Sequence, residues 1–231
     1  MFFLNFNYLI YMIPAFLLMA ATSWYVRSAY GKWSKVRARS GLTGAQAAQR
    51  LISASGLYGI QIQPIAGEMT DNYDPRTKTL NLSQGVGNTP SVAALAIAAH
   101  ELGHAMQDAQ DYVPLRFRAA LVPAVNIGSN LGWILIMIGM FIGWTQIAWL
   151  GIIVFSAGAV FSLATLPVEF DASARAKRML VDSSIIMDED ERAGVNSVLN
   201  AAALTYVAAL VTSVMQLLYY VSMVSGGRRR S

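Results

Sequence analysis

The chain of 231 residues has no cysteine, only two histidines and just 13% charged residues. Without cysteine there is no disulfide framework and no thiolate metal or redox centre. A reducing compartment suits such a chain. The charge deficit, set against about 25% in an ordinary soluble domain, is unevenly spread. Residues 1–26, 119–168 and 193–227 contain no Asp, Glu, Lys or Arg. A membrane-spanning helix needs about 20 apolar residues, and three such blocks in so short a chain exclude a soluble protein with apolar core helices as the better account. The middle block is too long for one span and breaks at Trp144-Thr145-Gln146. Spans are therefore expected near residues 6–26, 121–143, 147–166 and 201–224. The start, Met1-Phe2-Phe3-Leu4-Asn5, lacks the positive n-region of a cleaved secretory signal, so the first block is expected to remain as an anchor.

The charge that is present is mostly positive, with a net +4. Arg27, Lys32, Lys35, Arg37 and Arg39 crowd the exit of the first span. Beside a membrane, such a cluster sets orientation and meets anionic headgroups rather than nucleic acid. Lysine and arginine collect on the cytoplasmic side. Arg116 and Arg118 before the second span, and Arg175, Lys177 and Arg178 after the third, agree with the first cluster. Arg228, Arg229 and Arg230 after the fourth block do not. The resulting partition is a helical anchor (1–26), a polar region (27–118), a spanning hairpin (119–168), a second polar region (167–200), and a last span with its basic tail (201–231). An even number of spans separates the polar regions, so residues of both can meet on one face, the cytoplasmic one.

Within residues 27–118, Leu42 to Leu57 reads as an amphipathic helix with Thr43 as N-cap and Gly56 near its end. Residues 60–65 alternate as a half-buried strand does. Asp74-Pro75-Arg76 marks a turn, followed by a second alternating strand from Thr77 to Leu82. Thr89 as N-cap with Pro90 at the first helical position predicts a helix from Ser91 to Gln110. A further helix is expected from Pro167 to Val181, then a short acidic loop from Asp188 to Glu191.

Both histidines fall in the run His100-Glu101-Leu102-Gly103-His104. Four residues apart on a helix, they share one face and can hold one metal ion, with Glu101 at its edge. A catalytic zinc takes three protein ligands and keeps a position for water. It makes hydroxide available near neutral pH, and the glutamate then serves as general base. Gly103 keeps bulk away from the pair. With no further histidine and no cysteine, the third ligand has to be a carboxylate. Glu169 is the first choice, because it follows the third span on the required face; Asp171 comes second, and Asp108 and Asp111 behind it. A protease with its motif inside a spanning helix fits poorly. The apolar run before His100 extends only from Val92 to Ala99, and Asp108 and Asp111 soon follow, which puts the site at the membrane surface.

Three segments together, Asp71-Asn72-Tyr73-Asp74-Pro75-Arg76-Thr77-Lys78-Thr79-Leu80-Asn81-Leu82-Ser83, Ala98-Ala99-His100-Glu101-Leu102-Gly103-His104-Ala105-Met106-Gln107 and Pro167-Val168-Glu169-Phe170-Asp171-Ala172-Ser173, resemble the bacterial YugP-like neutral zinc metallopeptidases. The resemblance implies a gluzincin-like site with Glu169 as third ligand, and kinship with the HtpX-like membrane proteases. Their downstream pattern is Glu-x-x-x-Asp; here Ser173 stands in place of the aspartate. Support for a histidine would then come from Ser173 or Asp171. Two further expectations concern substrate. The Thr77–Leu82 strand offers an edge on which a peptide could add, and Tyr73 or Arg175 could stabilise the oxyanion.

The expected fold is a mainly α membrane protein with about four transmembrane helices and a small α+β, zincin-like catalytic region at the membrane surface. The expected function is a zinc metalloendopeptidase of a bacterial inner membrane with one Zn2+ per chain. It would act on polypeptides at the cytoplasmic face, including membrane or misfolded proteins, with the lipid bilayer as its other partner. A zinc-binding scaffold without activity is the alternative, and Glu101 argues against it, since binding alone needs only ligands. A zinc hydrolase with a substrate other than peptide is a third class.

Overall fold

The computed structural model describes residues 6–227; the basic run Arg228, Arg229, Arg230 lies outside the described residues. The elements in order are α1 (Phe6–Trp33), α2 (Gly44–Ser55), β1 (Gln61–Ile65), β2 (Asn72–Asp74), β3 (Thr79–Ser83), α3 (Gln84–Gly87), α4 (Val92–Ala109), α5 (Val113–Phe141), α6 (Thr145–Phe155), α7 (Ala157–Asp182) and α8 (Glu189–Gly227). The protein is mostly helical with a small α+β region. Among the described residues four helical stretches are long and apolar enough to cross a membrane: Phe6–Trp33, Val113–Phe141, Thr145–Asp182 and Glu189–Gly226. Phe16, Ile127, Trp133 and Leu163 on these helices are exposed, as side chains meeting lipid tails would be.

The helices outrun the spans expected from the charge-free blocks. The largest difference is at α7. Pro167 does not begin a new helix but lies inside α7, which runs unbroken from the apolar stretch into the polar residues Glu169 to Asp182. Proline removes one backbone hydrogen bond, and apolar helices tolerate that loss when neighbours satisfy the freed carbonyl. At the other end of the chain, α8 already begins at Glu189, with Glu189, Asp190 and Glu191 in its first turn, where the helix dipole favours negative charge.

By contacts the chain divides into two compact units. One comprises Arg116–Pro167 with the stretches up to Ala21 and from Thr205 onward. Its α5 and α6 form a tight hairpin. A Cβ at Gly132 would lie 2.6 Å from the Phe155 amide nitrogen, so glycine is what lets these backbones approach. The other unit comprises Thr22–Leu115 and Val168–Leu204. It holds the sheet, α2, α3, α4, the second half of α7 and the start of α8.

In this second unit α2 starts at a capping box: Thr43 Oγ1 accepts the Gln46 amide at 3.3 Å, and Gln46 Oε1 accepts the Thr43 amide at 3.0 Å. The sheet order is β1-β3-β2, with β1 parallel and β2 antiparallel to β3. The strand expected to offer a free edge is therefore central and paired on both sides. Leu80 and Leu82 of β3 are buried in the core; the edges are β1 and β2.

Helix α4 is buried nearly all round by Val92, the alanines at 93, 94, 96, 98, 99 and 105, Leu95 and Leu102. Its N-cap is Ser91, not Thr89. The Ser91 hydroxyl accepts the Ala94 amide at 3.2 Å. Residues before it are held extended by the linker after α1, since Pro90 O accepts the Ala38 amide and Val36 O accepts the Val92 amide. The same linker is fixed to α8. The buried Glu191 carboxylate accepts the Arg39 amide at 2.6 Å, and Arg39 Nε pairs with Asp188 at 2.9 Å. Arg39 thus has a protein partner besides any lipid headgroup.

The approach of α7 to α4 depends on one residue. A Cβ at Gly103 would lie 2.5 Å from the Ala172 carbonyl oxygen. Opposite it, Val168, Ala172 and Ala176 form a fully buried stripe along α7, four residues apart and so on one face.

Two stability measurements follow from this packing, both thermal melts in detergent. Ser91→Ala is expected to cost about 1 kcal/mol, whereas Thr89→Ala should leave the melt unchanged; the reverse order would return the cap to Thr89. Gly103→Ala should cost about 1–3 kcal/mol through overpacking against backbone, although alanine is otherwise the better helix former. A stabilised Gly103→Ala protein would show that the two helices are free to separate.

Candidate metal centre

His100 and His104 project from one face of α4, their ring centroids 4.8 Å apart and their planes at 82°. Glu169 enters between them from α7, one residue after the charge-free block. Its Oε2 lies 3.3 Å from His100 Nε2 and 3.5 Å from His104 Nε2. The three side chains are 13%, 14% and 3% exposed. A tetrahedral zinc site with arms of about 2.1 Å has ligand atoms about 3.4 Å apart, and the two histidine–glutamate separations match that spacing. His, His and Glu are also the donor types that zinc takes at catalytic sites. The residues present therefore fit a zinc ion, and all three candidate ligand atoms lie within 4.8 Å of one another.

The remaining ring nitrogens are engaged by protein. His100 Nδ1 lies 3.3 Å from Ser173 Oγ, and His104 Nδ1 lies 3.0 Å from Gln107 Oε1. The Nε2 atoms are thereby the ones left facing Glu169. Glu169 and Ser173 are four apart on α7 and meet His100 and His104, four apart on α4. Burial opposes a charge on the His104 ring, but contact with Glu169 and then the charge of Glu101 outweighs it, and the pKa rises.

Glu101 stands beside the cluster. Its Oε2 accepts the backbone amide of Tyr73 on edge strand β2 at 3.1 Å. Loss of surrounding water raises the Glu101 pKa, with the two histidines pulling the other way. The Tyr73 hydroxyl donates to Asp108 Oδ2 at 3.0 Å, and its pKa is raised by burial first and by Asp108 second. Asp108 is thus occupied with Tyr73, and Asp111 follows the end of α4 at a positive φ of 55°; neither is in the three-residue group. Asp171 is outside it as well. It accepts the Arg175 Nε at 2.5 Å and the Gln107 Nε2 at 2.9 Å. Arg175 also donates to Gln110 Oε1 at 2.6 Å and lies over the Tyr112 ring, 5.6 Å from its centroid. Both groups suggested for an oxyanion, the Tyr73 hydroxyl and the Arg175 guanidinium, therefore hold carboxylates of the protein.

Gln107 escaped the sequence reading. It is fully buried, and its Nε2 also donates to the Val168 carbonyl at 2.8 Å. The available signal was its spacing, three residues after His104, which puts it on the motif's own face.

A family model described as "Putative neutral zinc metallopeptidase" matches residues 8–225. The "Putative membrane protease YugP" of Bacillus subtilis (strain 168) is 44% identical over 203 residues, covering 88% of this chain and 90% of that protein. No solved structure matches. With a matching model over nearly its whole length and a relative of this identity, the chain belongs to the zinc metallopeptidase family so described.

Proposed function

We propose that the chain is a membrane-bound zinc endopeptidase in which His100, His104 and Glu169 hold one zinc ion and Glu101 is the general base. The observation that carries this reading is the convergence of two Nε2 atoms on Glu169 Oε2, with the Glu101 carboxylate anchored alongside by the Tyr73 amide. A zinc ion held by His100, His104 and Glu169 would supply Lewis acidity there, lowering the pKa of a bound water. Glu101 would accept a proton from the attacking water at a carboxylate oxygen and pass it to the departing amine nitrogen as the peptide C–N bond breaks. Burial lifts the Glu101 carboxyl above its ordinary pKa, the direction in which a carboxylate that serves as base and then as acid is tuned. β2, an edge strand turned toward Glu101 through Tyr73, replaces β3 as the place where a peptide could add in extended form. Recognition by backbone would suit unfolded or membrane polypeptides of varied sequence, as in membrane protein quality control. A scaffold that only binds zinc would have no use for a carboxylate held at this position. The basic residues flanking the spans support a site on the cytoplasmic face of a bacterial inner membrane.

Two experiments test these points. Glu101→Gln should retain zinc and lower hydrolysis of an unfolded protein by about 100- to 10,000-fold, and Glu169→Ala should lose the zinc itself. Equal cleavage by Glu101→Gln and wild type would remove the mechanism, and full zinc in Glu169→Ala would move the third ligand elsewhere. For orientation, the absence of cysteine helps. Ser53→Cys, exposed on α2, should react with a membrane-impermeant maleimide in inverted vesicles and not in intact protoplasts. Labelling of the protoplasts would turn the site outward.

A further inference from the structure

The Gln107 amide has its orientation dictated by what surrounds it. One end meets the Val168 carbonyl at 2.8 Å and Asp171 Oδ2 at 2.9 Å. A carbonyl and a carboxylate can only accept, so this end has to be the NH2 group, which offers two donors. The other end, Oε1, then faces His104 Nδ1 at 3.0 Å, and it can only accept. His104 is required to carry its proton on Nδ1. Its bare nitrogen is then Nε2, the one turned toward Glu169. The chain of constraints continues outward, because Asp171 is held as an acceptor by Arg175, which is braced in turn by Gln110 and Tyr112.

The second contact of the amide bears on the other ligand. Val168 immediately precedes Glu169, so the bond from Gln107 ties α4 to the turn of α7 from which Glu169 projects. We propose that Gln107 is a positioning residue of the metal centre, selecting the His104 tautomer and fixing the turn that delivers Glu169. The proposal rests on the zinc reading above and deepens it. It also gives Asp171 a place: a residue that orients the amide rather than a ligand. The two histidines are held unequally. The support of His104 reaches a carboxylate through a fully buried amide, whereas His100 has a hydroxyl at the longer distance of 3.3 Å.

The test uses the full chain in detergent, loaded with zinc, and two readouts. The first is zinc affinity by competition with a chelator. The second is the resonance spectrum of isotope-labelled histidine, which is simple because there are only two. In wild type the His104 ring should show a protonated, slowly exchanging Nδ1. Gln107→Leu keeps volume and removes both polar ends; it should weaken zinc binding by about 10- to 100-fold and lose the slowly exchanging signal. Gln107→Glu keeps an acceptor for His104 but sets oxygen against Val168 O and Asp171, so it should also weaken binding. Should Gln107→Leu not accumulate, Gln107→Met carries the same expectation. Unchanged affinity in these variants, or weakened affinity with the His104 signal intact, would overturn the proposal. Wild-type protein that holds no zinc would overturn the zinc reading, and this proposal with it.

Discussion

The close packing of α7 on α4 at Gly103 governs the chemistry that the rest of the chain supports. A side chain at that position would meet the Ala172 backbone, and Glu169, three residues before Ala172, would be carried away from the two histidines. Carboxylate and imidazole reach only a few ångströms beyond their backbones. Bringing these three side chains together from two helices therefore requires small residues where the helices touch. The Val168, Ala172, Ala176 stripe supplies the matching face. Alanine is abundant along α4 for the same reason: it favours the helix and leaves neighbours close.

That closeness has an electrostatic cost. Glu169 is buried, and taking a carboxylate out of water costs on the order of several kcal/mol, which its contacts with His100 and His104 offset. Around it the protein has arranged partners at each remove. Ser173 and Gln107 engage the histidines, Asp171 engages Gln107, and Arg175 engages Asp171. On the other side Tyr73 joins the sheet to both Glu101 and Asp108, one through its amide and one through its hydroxyl. The cluster is thus a buried polar network with its members paired, the arrangement in which such groups specify one geometry instead of loosening the core. A divalent cation at its centre would balance the two carboxylates nearest to it.

Local features were legible because their causes are local. The capping box at Thr43 is written in residues three apart, and the turn around Pro75 needs only its own dipeptides. The spans were legible from missing charge, since lipid excludes it over a fixed thickness. The errors came where distant chain decides a local outcome. Thr89 and Pro90 carry a helix-start signal, but the linker after α1 claims their backbone, and Ser91 takes the cap. Pro167 carries a boundary signal, but the helix continues through it. The Thr77–Leu82 stretch alternates as an edge strand would, but it inserts between β1, in parallel, and β2, antiparallel, and so is central, a pairing that alternation does not encode.

The same division holds at the metal centre. The sequence by itself determined two histidines and a glutamate on one helical face, because a period of 3.6 residues per turn places them there whatever else the chain does. It also limited the third ligand to a carboxylate, for lack of any other donor. Only the tertiary structure shows which carboxylate meets the histidines: Glu169 lies 3.3 Å from His100 Nε2 while Asp171, two residues on, is engaged by Gln107 and Arg175. Two residues along a helix turn a side chain by more than half a revolution, so the outcome depends on how α7 is rotated against α4. That rotation is set by the contact of Ala172 with Gly103, a contact between residues far apart in the chain.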